Sequence, residues 1–323
     1  MSGEATPSQV SGFLMALRAK GETSAEIRAI ADVMLAHAHR IHVEGPSIDI
    51  VGTGGDRAQT VNISTMSALV AAAAGVRVAK HGNRAASSKS GTADCLEALG
   101  IDLGLRPEEV EEVVADAGIT FCFAQTFHPA MRHVAIPRRE LGVPTVFNVL
   151  GPLTNPAEPT FAAIGVADPR MAPLVAGVLA ERGQRAAVFR GDDGLDEVTV
   201  STTTTVWWVD GGQVSTFTVS PQEHGVHLAP LETLRGGDGA HNAQVVLDVF
   251  AGVTGPIRDA VLLNAGIALA VAGGAPVKDQ ADFDAALRAG MSRAAQAIDG
   301  GLARATLDRW RDTTVAVAAR RTN

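Results

Sequence analysis

Tyrosine is absent from this 323-residue chain, and aromatic residues reach only 4%. Recognition of bases or sugars on stacked rings is therefore not expected. Cysteine occurs only at Cys95 and Cys122, without CxxC or zinc-type spacing, so both read as reduced core residues of a cytoplasmic protein. Basic charge is short as well: 27 lysines and arginines stand against 35 acidic residues, a net charge of −8. That balance disfavours broad binding to nucleic acid or an anionic membrane, and leaves room for a small basic pocket. The most apolar run, "AVLLNAGIALAVAGGA" at 260–275, is too short for a membrane span and reads as a buried helix. The opening "MSGEATPSQ" is polar and acidic, unlike a secretory signal.

What is present is a globular composition, 46% apolar, with enough length for a large core. Residues 8–42 read as two helices, one burying Val10, Phe13, Leu14 and Leu17 and the other opening at Ser24 and repeating Ile27, Ile30, Ala31 and Met34. After "GPSID", short β-branched runs alternate with helical patterns. Strands are expected at "IDIVG", "VRVAK", "ITFCF", "FAAIGV", "RAAVFRG" and "EVTVS", and helices at 65–75, 91–99, 107–117, 128–140 and 168–182. Asp210-Gly211-Gly212 between two further runs signals a hairpin. The fold class is α/β: a large domain with a mainly parallel sheet flanked by helices, over 45–323, plus a small helical domain over 1–44.

Three segments carry chemistry. "VGTGGD" at 51–56 leaves a strand, and Gly52, Gly54 and Gly55 let the backbone turn and a ligand approach its N–H groups. Asn62, Ser64 and Thr65 follow at a helix start, where an anion is favoured. The pattern is neither GxGxxG nor a P-loop, so an ordinary nucleotide site is not indicated. "KHGNRAASSKSG" at 80–91 places Lys80, His81, Asn83, Arg84, Ser87, Ser88 and Lys89 after a second strand, a mixture of cations and hydroxyls suited to a polyphosphate. Two such loops point to one crevice at the carboxyl edge of a sheet. In "RGDDGLDEVTV", Asp192 and Asp193 read as turn residues, while Asp196 and Glu197 offer hard oxygens for Mg2+. In a regular strand these two would face opposite ways, so either they converge in a turn or each serves a different ion.

"DIVGTGGD", "NIST", "KHGNR", "FNVLGPLTNP" and "GLDEV", in this order and spacing, resemble the anthranilate phosphoribosyltransferases of tryptophan biosynthesis. The likeness extends through "FLMALRAKGET" and "FHPAMRHV" and runs from about residue 3 to the C-terminus. It implies transfer of the phosphoribosyl group of 5-phosphoribosyl 1-diphosphate to the amine of anthranilate, releasing diphosphate with the help of Mg2+. It also implies a fold like that of the pyrimidine nucleoside phosphorylases, in which helices from about 128–142 complete the small domain.

The substrate contacts implied are Gly52, Gly55, Asp56, Thr60, Asn62, Ile63, Ser64, Thr65, Lys80, His81, Gly82, Asn83, Arg84, Ala85, Ala86, Ser87, Ser88, Thr92 and Arg138. Ser64, Asp196 and Glu197 are the implied metal ligands, and Lys80, Asp196 and Glu197 the implied catalytic groups. Arg138 in "IPRRELG" is implied to meet the anthranilate carboxylate with Asn83 beside it; chemistry alone does not separate it from Arg139. An aromatic amine is unprotonated at neutral pH and needs placing more than a base, so no triad is expected. By their own pattern His81 and His128 read as structural histidines.

Two departures stand out. Helices that usually precede "GEATPSQ" in the family, and that build its homodimer, are missing, so a less stable and more monomeric chain is expected. Arg190 stands where relatives often carry histidine, which touches local turn chemistry. Rival readings are a nucleoside phosphorylase of the same fold and a non-catalytic relative that binds nucleic acid or another ligand. "KHGNR" and Arg138 speak against the first; the Asp196-Glu197 pair and the negative charge speak against the second.

Overall fold

Glycine turns cut the β-branched runs into seven short strands, and the computed structural model, which describes residues 2–84 and 89–322, assembles them into one sheet. These are β1 (Ser47–Gly52), β2 (Arg77–Gly82), β3 (Ile119–Phe123), β4 (Phe161–Gly165), β5 (Arg185–Gly191), β6 (Thr204–Asp210) and β7 (Gln213–Val219), in the order β3-β2-β1-β4-β5-β6-β7. The first five pair in parallel; β6 and β7 close the edge antiparallel. Their hairpin turns on Gly211 and Gly212, both at positive φ, as the sequence indicates.

The helices are α1 (Pro7–Lys20), α2 (Ser24–Ala36), α3 (Ile63–Ala73), α4 (Thr92–Ala98), α5 (Pro107–Ala117), the short α6 (Ala124–Phe127), α7 (Arg132–Leu141), the short α8 (Phe147–Leu150), α9 (Ala172–Glu181), α10 (Gly239–Phe250), α11 (Pro256–Ala272), α12 (Gln280–Asp299) and α13 (Leu302–Ala319). Among the described residues none is long and apolar enough to cross a membrane. The run at 260–275 lies almost wholly in α11, buried from Ala260 to Val271 apart from Leu262.

Alternation along the strands divides the apolar side chains into two cores. Ile48, Ile50, Ala163, Ala187 and Phe189 face α3 and α11. Val51, Ala162, Ile164, Ala186 and Val188 face α9, together with Leu14 and Leu17 of α1 and Ile27, Ala31 and Met34 of α2. The first two helices thus share a core with the sheet.

Three local expectations are corrected. Phe13 is exposed, leaving Leu14 and Leu17 as the buried pair of α1. The N-cap of α2 is Thr23, not Ser24: its hydroxyl accepts the Glu26 N–H while the Glu26 carboxylate accepts its own N–H, a reciprocal box. "EVTVS" forms no strand. Its backbone N–H groups at Val198 and Thr199 donate to the side chains of Asn264 and Thr204, so no neighbouring strand receives them.

Candidate active site

The chain leaves β1 toward β2 on one side and returns to β4 on the other, so the crevice of this sheet opens at the carboxyl ends of β1 and β4. A second opening lies beside it. β1 pairs with β2 only at Ser47–Arg77 and Ile48–Val78, whereas β1–β4 pairing runs to Gly52–Gly165 and β2–β3 pairing to Gly82–Phe123. Above Ile48 the two strands part.

Side chains fill the wedge. Lys80 Nζ donates to the Ile50 carbonyl and, at 3.2 Å, to Ser64 Oγ. Asp49 accepts the His81 N–H at 3.0 Å, and Asn155 Nδ2 donates to Asp49 at 2.8 Å and to the Ala79 carbonyl at 2.7 Å. An unpaired buried backbone group costs about 1–3 kcal/mol, so these three residues replace the missing ladder. All are buried, Lys80 at 1% exposure. Burial raises Asp49 to about 6, against the pull of the Lys80 charge and its hydrogen bonds. Burial lowers Lys80, opposed by Asp49 and Glu197.

The acidic pair sits at the β1/β4 corner. Asp196 and Glu197 lie in a bend rather than a strand, and both are buried there. Asp196 accepts the Gly54 N–H at 2.6 Å, and its backbone and carboxylate crowd so closely that a side chain at Gly52 or Gly165 would collide with them. Glycine at position 52 therefore admits the protein's own aspartate, whereas Gly54 and Gly55 are needed for positive φ. Asp192 and Asp193 are turn residues as expected: Asp193 accepts the hydroxyls of Thr199 and Ser201, and Asp192 those of Thr203 and Thr205.

Burial, then the nearby Asp56 charge, lifts Asp196 to about 7. Burial and then the Asp196 charge hold Glu197 well above the usual carboxylate range, although Lys80 and the Ser64 N–H pull the other way. Glu197 thus meets the first turn of α3, the end that favours an anion. Three carboxylates, a hydroxyl at Ser64 and one buried cation form a hard-oxygen set short of positive charge, which fits Mg2+. Among the described residues no group of three His, Cys, Asp or Glu side chains is arranged to hold a metal by itself. Mg2+ commonly takes one or two carboxylates and completes its shell with water and substrate phosphate.

The loop between Asp56 and Ile63 is held under tension. Arg57 and Gln59 adopt positive φ, unusual for non-glycine residues. Thr60 bridges to Arg235, the Val61 N–H donates to Leu234 and the Gly236 N–H to Gln59. Asn242 Nδ2 donates to Asn62 Oδ1 at 2.8 Å. Ile63 and Thr65 are buried in the first turn of α3.

At the end of β2, His81 donates its Nδ1–H to the Gly151 carbonyl, 2.9 Å away, and packs edge-on to His128. Burial, then the His128 charge, lowers His81 to about 3, and burial lowers His128 to about 4. Gly82 leaves room for the Phe121 ring and for Thr92 at the start of α4. Asn83 is exposed, with its side chain accepting the Arg84 N–H. Arg84 is tied to Glu97 and Asp94 of α4. Ala85, Ala86, Ser87 and Ser88 lie outside the described residues.

Arg138 and Arg139 are separated by burial. Arg138 is half-buried in α7 with its guanidinium 5.1 Å from the centroid of the Phe147 ring, while Arg139 is exposed. Arg190, the departure noted above, donates to the Ala167 and Gly191 carbonyls.

Asp49, Asn155 and Asn242 were not singled out from the sequence. Each is a polar residue in an otherwise apolar pattern and is at most 5% exposed. That mismatch was the available signal.

Fold and corner define an α/β protein of the doubly wound kind whose ligand crevice, at the carboxyl edge, is built for anions and a hard cation. The chain belongs to the glycosyl transferase family, whose a/b domain matches residues 44–304 and whose helical bundle domain matches residues 1–38. A curated relative named anthranilate phosphoribosyltransferase, from Nocardioides sp., is 59% identical over 313 residues, covering 96% of this chain and 90% of the relative. The crystal structure of the enzyme of that name from Thermus thermophilus matches with a TM-score of 0.90 at 43% identity, over 97% of this chain and 92% of the other. The Saccharomyces cerevisiae enzyme, in complex with PRPP and Mg, matches with a TM-score of 0.86 at 31% identity, over 96% and 86%.

Proposed function

We propose that the chain transfers the phosphoribosyl group of 5-phosphoribosyl 1-diphosphate to anthranilate, giving N-(5-phosphoribosyl)anthranilate and diphosphate, in L-tryptophan biosynthesis. The observation that carries this reading is the β1/β4 corner, where Asp56, Asp196 and Glu197 crowd together over a single buried lysine. Ser64, Asp196 and Glu197 would hold Mg2+, which supplies positive charge to the departing diphosphate.

The remaining work falls to the chain's own groups. Backbone N–H groups and side chains of the 52–65 loop, with Gly52, Gly55, Asp56, Thr60, Asn62, Ile63 and Thr65, enclose the donor. Lys80 acts from beneath: two of its three N–H donors are committed to Ile50 and Ser64, so its charge reaches the leaving group chiefly as a field. The strand end His81–Gly82 and the following Asn83 border the acceptor, and Arg138 offers a planar fork to its carboxylate. The amine needs orientation rather than deprotonation. The family models support a helical unit over 1–44 and an α/β unit over 45–323 as the working division, and two buried free cysteines are in keeping with a cytoplasmic protein. Both substrates are small molecules.

Loss of anthranilate fluorescence on mixing the purified chain with anthranilate, phosphoribosyl diphosphate and Mg2+ is the expected outcome. A folded sample that leaves the fluorescence unchanged would sink the assignment.

A further inference from the structure

Two arginines of this region lie over phenylalanine rings and spend their edges differently. Arg84 sits 5.6 Å from the centroid of Phe123, and its N–H donors are taken by Glu97 at 2.6 and 2.7 Å and by Asp94 at 2.9 Å. Arg138 sits closer to its ring, 5.1 Å from the centroid of Phe147, and makes no ion pair or side-chain hydrogen bond among the described residues. A half-buried cation without a carboxylate is unfavourable unless something else offsets its desolvation. An aromatic face does so through its quadrupole, and it engages the flat of the guanidinium while all in-plane donors stay available.

The local chain delivers that ring. α7 ends one turn after Arg138, at Gly142, whose positive φ reverses the path. The Thr145 N–H donates to the Asn148 side chain at 3.0 Å, starting α8 with Phe147 folded under Arg138. Four residues further on, the Gly151 carbonyl meets the His81 ring, joining the platform to the end of β2.

We propose that Phe147 is a positioning residue for the acceptor: its ring holds Arg138 by the face so that the donor edge is kept open for a planar aromatic carboxylate. This rests on the reaction proposed above. Phe147 also packs against the core shared by α1, α2 and α9, so a purely structural role is the competing account. The two accounts part when the ring is replaced by an aliphatic group of similar size.

Phe147→Leu keeps apolar packing and removes the π face; Phe147→Trp enlarges the face. Binding of benzoate, which carries the carboxylate, and of aniline, which lacks it, is measured on the full chain by calorimetry, alongside melting temperature and the KM values of both substrates. Phe147→Leu is expected to weaken benzoate binding and raise the anthranilate KM about 3- to 30-fold. Aniline binding, the donor KM and melting should stay near wild type, and Phe147→Trp should retain the benzoate affinity. Equal benzoate affinity in the wild type and Phe147→Leu, or equal losses for benzoate, aniline and the donor, would overturn the inference. So would a wild-type chain that does not bind benzoate. A wild type that binds benzoate but turns over no anthranilate refutes the reaction alone, and the Phe147→Leu benzoate comparison then still decides the role of the ring.

Discussion

At the β1/β4 corner three carboxylates lie together near one buried lysine, whereas at the α7–α8 turn one arginine pairs with no carboxylate among the described residues. The first place is overcharged negatively, the second positively, and each lacks the counter-ion that its expected ligand would bring. Other groups nearby are matched: Arg84 by Glu97 and Asp94, and Asp49 in the wedge between β1 and β2 by the His81 N–H and Asn155. Unbalanced charge is the feature these two places share, and it is what a site for charged ligands is expected to show.

The comparison breaks most visibly at the acidic corner. Asp196→Asn combined with Glu197→Gln should lower Mg2+-dependent turnover by roughly 100- to 1000-fold, the scale of losing a preorganised electrostatic contact. The same change should raise the melting temperature of the metal-free chain, because it removes like charges from a buried place. A variant both inactive and less stable would show that these carboxylates hold the corner together.

Arg138→Ala sharpens the other side. Losing a charge-assisted fork is worth about 1.5–3 kcal/mol, so the anthranilate KM should rise on the order of 10- to 100-fold with the donor KM unchanged. Equal damage to both substrates would erase the distinction between the two corners.

The smallest effect concerns the paired interior between them. His81 and His128 are held at about 3 and about 4, below the ordinary 6.5 of the imidazole. As pH falls below 6.5 the unfolded chain takes up these protons first, so stability is complete above that value and declines on the way down to 4 and then 3. Each histidine contributes a slope of at most about 1.4 kcal/mol per pH unit. Urea titrations from pH 7 to pH 4 should show His128→Phe less acid-sensitive than the wild type; parallel curves would contradict this.

Much of the corner was legible because its chemistry is local. A strand followed by three glycines, hydroxyls at a helix start and two adjacent acids each announce themselves within a few residues of chain. The neighbours that complete it were not legible. Asn155 stands 106 residues from Asp49, and nothing near either one signals that β1 and β2 part above Ile48 and leave carbonyls and an N–H to be met. "EVTVS" misled for the same reason: its β-branched pattern is that of a strand, but Asn264 on α11 and Thr204 reach its N–H groups first. Phe13 fits an apolar helical face in sequence and lies exposed on α1.

The sequence by itself determined the parallel architecture, the hairpin and the positions of the glycine turns, because periodicity and φ preference act over a handful of residues. The tertiary structure alone decided that Asp196 and Glu197 are buried in a bend, that Arg138 is drawn inward while Arg139 faces water, and that Lys80 spends its ammonium on the protein's own backbone. Burial, and the electrostatics that burial magnifies, depend on which distant segments meet.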